Sequence, residues 1–189
     1  MISFNVLSLI LAIIKLEFVL LLVVVWFSQL LPLNKINPKT LIKTYNSRLN
    51  ENNVAKLITK YDFIVDGSDN FKTKFLINDF SIKFKKLLVT GAISKFDGHV
   101  FTFDFKNKKI PCLRCFFQED QISDDLLNCE AEGVLGTVAG IVGTIQANEV
   151  LKKVLNIGQN LDGHILIMDL LNLNFRKVKL KKRKFCFCK

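Results

Sequence analysis

Glycine is absent from residues 1–32, so that stretch cannot build a glycine-rich loop to cradle phosphates. It also lacks a basic n-region and a small-residue cleavage site, which argues against a removed secretory signal. Bases are missing from Glu119–Glu132, which carries six acids, and acids are missing from Arg176 onward, where eight bases stand. There is no internal repeat and, outside that basic tail, no low-complexity segment. Half the residues are hydrophobic and 23% are charged, which excludes a disordered or collagen-like chain. A length of 189 residues suits one domain with a self-sufficient core. The balance of 27 bases to 17 acids, net +10, favours acidic proteins, phosphates or anionic membrane as partners, and equally describes a solvated lysine-rich surface.

Of five cysteines, four form close couples, Cys112 with Cys115 and Cys186 with Cys188, and Cys129 stands alone. Without a cleavable signal, such couples read as metal ligands in a reducing, cytoplasmic compartment; two unrelated pairs are the alternative.

Composition breaks near Pro32. Between Ile2 and Leu33 only Lys15 and Glu17 are charged, and FVLLLVVVWF is wholly apolar. Val6 to Phe27 meets the length of about 20 residues that a membrane helix needs, with Lys15 and Glu17 costing about 2.5–3.5 kcal/mol each near the bilayer centre. Residues 1–32 therefore read as a membrane anchor, as a buried strand or helix of the domain, or as a stretch from an altered reading frame. Residues 33–189 form the domain proper.

From Asn34 the pattern is α/β. Tyr61–Asp66 reads as a buried strand, and Asp69–Lys86 as a helix with Asp69 at its N-cap. Lys86–Ile93 and Gly98–Phe105 read as strands, Gly136–Asn156 as a small-residue helix whose glycines permit close packing, and HILIMDLL with NFRKVKL as a terminal hairpin. Asp66 and Asp69 fall at a strand C-terminus, where open α/β sheets bind ligands. One carboxylate there suits Mg²⁺, which takes its other oxygens from phosphates and water. Read locally, Asp69 serves as a cap and Asp66 as a turn residue.

The sequence of motifs DGSDN, LLVTGAISKFDGHVFTF, PCLRC, NCEAEGVLGTVAGIVGTIQANEVLK and a terminal cysteine pair resembles the ThiF/MoeB/HesA family from about Leu33 to Cys188. The resemblance implies an incomplete Rossmann-like α/β fold with a mixed sheet and a zinc-tied C-terminal segment. It implies an adenylyltransferase that uses Mg-ATP to activate the C-terminal glycine of a ubiquitin-like sulfur carrier, ThiS or MoaD, usually as a homodimer. Asp69 matches the magnesium-linked aspartate, followed by Asn70; Lys74 stands where the family has arginine, which removes a two-pronged donor. Asn78 matches an asparagine of the nucleotide site, and Gly91–Gly98 the turn that lines the carrier tail. Cys112, Cys115, Cys186 and Cys188 match a structural zinc site, the last two with one residue between them instead of two. Cys129 falls where some members have a sulfur-transferring cysteine. Nucleic acid is not an expected partner.

The family also opens with a strand, a G-x-G-G-x-G loop, a D-x-D turn and an arginine-bearing segment, none of which is present. The expectation is an enzyme by descent, impaired as a lone chain and holding Mg-ATP weakly. A non-catalytic, membrane-tethered carrier-binding module is the alternative.

Overall fold

The computed structural model describes residues 9–16, 19–26, 41–117, 133–186 and 188. Eight strands form one sheet: β1 (Leu9–Leu16), β2 (Val19–Trp26), β3 (Leu41–Tyr45), β4 (Phe63–Asp66), β5 (Leu87–Ser94), β6 (Asp97–Asp104), β7 (His164–Asp169) and β8 (Asn174–Lys179). The order across the sheet is β3-β1-β2-β4-β5-β6-β7-β8. Pairing is parallel for β2–β4 and β4–β5 and antiparallel for the other pairs, so the sheet is mixed, as expected.

The apolar N-terminal run lies inside this sheet. β1 and β2 form a hairpin in register from Leu9↔Trp26 to Leu16↔Val19, set between β3 and β4. Residues 9–16 and 19–26 are strands, and no described helix is long and apolar enough to cross a membrane. The transmembrane reading is therefore corrected. Its sequence signal was length and apolarity, which a pair of strands within a sheet can share.

Among the described residues four helices flank the sheet: α1 (Val54–Ile58), α2 (Phe71–Lys83), α3 (Leu113–Phe116) and α4 (Gly136–Leu155). Alternation along the strands divides the core in two. Ile64, Leu88, Phe101 and Phe103 pack with Phe75 and Ile77 of α2, with α1, and with Cys112 and Leu113. Val89, Val100 and Met168 face Val138, Val142 and Val150 of α4. The glycines of α4 do not provide the close packing expected of them: a Cβ at Gly136, Gly140 or Gly143 would meet open space. Sheet glycines do so instead, for a Cβ at Gly91 would lie 2.8 Å from Val142 and Gln146, and one at Gly98 2.6 Å from Val142.

Candidate active site and metal centre

β4 delivers Asp66 into the interior with no exposure. Its Oδ1 accepts from the Ser68 amide at 2.9 Å and the Ser68 hydroxyl at 2.6 Å. Its Oδ2 accepts from Thr90 at 2.6 Å and from Lys74 Nζ at 3.1 Å. Lys74, 4% exposed, reaches back from α2 and also donates to the Gly91 carbonyl. Gln146 of α4 donates to the Asp66 carbonyl at 2.9 Å. A buried carboxylate and ammonium are tolerated only when paired and hydrogen-bonded in this way. The network fixes the turn that leaves β4.

Asp69 stands on that turn, exposed, its Oδ1 accepting from Asn70 Nδ2 at 3.0 Å. The expected N-cap is displaced by one residue: Asn70, not Asp69, caps α2, with Oδ1 accepting from the Thr73 amide at 2.8 Å. Ser68, Asp69 and Asn70 are all good capping types, so sequence could not choose among them. Relieved of capping, the Asp69 carboxylate is placed at the strand's C-terminal end beside a helix N-terminus, a position that suits a cation and phosphate pair. Asn70 follows it directly, and Lys74 is the fourth residue of α2, its ammonium directed to Asp66 and Gly91. Asn78 is fully buried, and its Oδ1 accepts from the Leu113 amide at 3.0 Å, tying α2 to α3 and the first cysteine couple. Arg114 of α3 grips Asp79 through Nε and Nη2 at 2.9–3.1 Å, with its guanidinium 4.4 Å from the Phe75 ring centre.

The two cysteine couples converge. The Sγ atoms of Cys112 and Cys186 are 3.4 Å apart, those of Cys115 and Cys188 3.6 Å, those of Cys112 and Cys115 3.9 Å, and all four lie within 4.8 Å of one another. Four thiolates about 2.3 Å from one tetrahedral metal would stand about 3.8 Å apart, so the donor set fits such an ion. The one-residue gap in Cys186-Phe187-Cys188 does not prevent both sulfurs from reaching the cluster. Cys112 is completely buried, and burial followed by the neighbouring thiols pushes its pKa well up. Burial also pushes Cys188 up to about 12. Burial acts the same way on Cys115, but backbone hydrogen bonds, first from Arg183, outweigh it and leave that thiol lowered. Metal uptake here would therefore release protons from thiols that otherwise keep them.

Cys129 lies outside the described residues. The Cβ sides of Gly91 and Gly98, where a carrier tail was expected to run, face α4. Sequence reading missed Thr90 and Gln146 as partners of Asp66, since contacts across 24 and 80 residues leave no local pattern. It also passed over Arg114, whose only signal was its place between two ligand-type cysteines.

The ThiF family model matches residues 31–189. A sulfur carrier protein adenylyltransferase of Thermus thermophilus is 37% identical over 157 residues, covering 82% of this chain and 58% of that protein. A probable molybdopterin-synthase adenylyltransferase of Pyropia yezoensis is 38% identical over 151 residues, covering 79% and 39%. The chain thus spans less than two-thirds of either relative. In fold it is similar to the crystal structure of Escherichia coli MccB with ATP, at TM-score 0.59 and 11% identity, covering 76% of this chain and 44% of the other.

Proposed function

The chain belongs to the ThiF family, and on that premise we propose that it serves to activate the C-terminal glycine of a small ubiquitin-like sulfur carrier, of ThiS or MoaD type, as an acyl adenylate. The observation that carries the reading is Asp69: an exposed carboxylate at the C-terminal end of β4, on a turn locked by the buried Asp66–Lys74 pair. Bound there, Mg²⁺ supplies charge neutralisation for the phosphates of ATP. Asn70 holds the helix start beside Asp69, and Lys74 positions the turn by binding Asp66 and Gly91. The carrier carboxylate attacks the α-phosphorus, and pyrophosphate leaves.

Cys112, Cys115, Cys186 and Cys188 hold zinc, the metal that four closely spaced thiolates select. Its role is structural, because four protein ligands leave no open position. Cys129 is assigned to sulfur transfer to the carrier. The exposed side of α4, with Gly140, Thr144, Ala147, Leu151 and Leu155, is the face through which two copies pair.

ATP–pyrophosphate exchange tests the proposal. With a carrier ending in Gly-Gly, carrier-dependent exchange above background is expected. Carrier binding without exchange would overturn the enzymatic reading.

A further inference from the structure

Residues 83–86, 106–109 and 181–184 contribute ten lysines and arginines in twelve positions, and no acid. The three segments are far apart in sequence and adjacent in space. The Phe105 amide donates to the Lys86 carbonyl at 3.2 Å, which sets the turn after β6 beside the entry to β5. Lys182 Nζ donates to the Lys108 carbonyl at 2.6 Å, which brings in the C-terminal segment. Cys186 and Cys188 anchor that segment to the first cysteine couple, so its cations are held on the fold. Nearly all these side chains are exposed, and none forms an ion pair with a described acid.

This basic pole lies at the N-terminal end of β5, whereas Asp66 and Asp69 follow the C-terminal end of β4, its parallel neighbour. It is therefore a different surface from the adenylation site. Cations packed this closely repel one another, and an anionic partner relieves that repulsion while gaining several contacts together.

We infer that this pole is a docking surface for an acidic polypeptide, a stretch of another protein rich in Asp and Glu. Nine of the ten cations are lysine, a hydrated point charge that suits single carboxylates, while the arginine fork that matches phosphate occurs once, at Arg183. The twelve positions include one aromatic residue, Phe84, which packs against the core.

The experiment measures binding of labelled poly-L-glutamate to the full chain by fluorescence anisotropy at physiological ionic strength. Reversing Lys106, Lys108 and Lys184 to Glu should weaken binding at least about tenfold, as the loss of several rim charge contacts predicts. Reversing Lys43, Lys72 and Lys95, which lie elsewhere, should weaken it far less. Should the reversals at the pole disturb the circular dichroism, the same three positions changed to Gln serve in their place. Equal losses in the two triple variants would overturn the proposal. So would tighter binding of single-stranded DNA or of phosphatidylserine vesicles than of poly-glutamate.

Discussion

Glu149 is 2% exposed in α4 and joins three parts of the fold. Its Oε2 accepts from the Thr102 hydroxyl of β6 at 2.7 Å, the Asn160 side chain at 3.0 Å and the Leu161 amide at 2.8 Å. Its Oε1 pairs with Lys152. Replacing Glu149 with Gln keeps the shape and leaves no good orientation. With Nε2 toward Thr102, Asn160 and Leu161, it meets two obligate donors, Asn160 Nδ2 and the Leu161 amide, and only the Thr102 hydroxyl can turn to accept; with Nε2 turned away, it meets the Lys152 ammonium. Hydrogen bonds to a charged group contribute about 1.5–3 kcal/mol each, so a net loss of about 3 kcal/mol is expected. For a chain of this size that lowers Tm by about 6–12 °C. Acid has a related effect. Burial works to raise the Glu149 pKa, but the Leu161 amide and the other donors outweigh it and hold it below the usual carboxylate value. A depressed native pKa gives stability that is fully present above the unfolded value and is lost as pH falls through the native one. Urea denaturation of the unaltered chain and E149Q at a series of pH values measures both effects. The two should differ most near neutrality and converge in acid. A difference under about 0.5 kcal/mol at neutral pH, the size of an ordinary surface substitution, or one unchanged down to acid pH, would refute the reasoning.

Gly98→Ala places a methyl group 2.6 Å from Val142 and 3.0 Å from Met168; Val142 is stiff in its helix, so a cost of about 1–3 kcal/mol in denaturant unfolding is expected. Unchanged stability would show that α4 does not lie so close to β6. Purified protein should carry about one zinc per chain, matching one tetrahedral set of four thiolates, and Cys112→Ser should lower that content and expose Lys181–Lys184 to trypsin. A zinc-free chain that is folded and resists trypsin there would refute the site. Asp69→Asn removes the charge that a magnesium ion needs while Asn70 keeps the cap, so helix content should persist and Mg-ATP affinity should fall at least about tenfold, or about 1.4 kcal/mol. An affinity indifferent to the change would remove Asp69 from the nucleotide site.

The α/β order was legible because β4, β5, β6, α2 and α4 carry local signals, apolar runs or periods, and their boundaries shift by at most three residues. The cysteine cluster was legible because its members come in couples. The fate of residues 9–26 was not, since a continuous apolar run has no period to separate a membrane helix from a central strand pair. Local pattern could not place Asn78 either. An asparagine two turns into α2 reads as part of the helix, and only the fold brings the Leu113 amide to it. Likewise the glycines of α4 looked like the packing residues, when the strands opposite hold the ones that matter.

The place of β1 and β2 also bears on the order in which the chain can assemble. Their antiparallel pairing is local and can form early, whereas β2 must wait for β4, which pairs with it from Leu21↔Phe63 after an intervening stretch that includes β3 and α1. Until β4 arrives, one edge of a strongly apolar ribbon offers unpaired amides and carbonyls to any neighbouring chain. Aggregation during refolding should therefore rise steeply with protein concentration, and substitutions that slow the docking of β4 should worsen yield even when the final stability is unchanged.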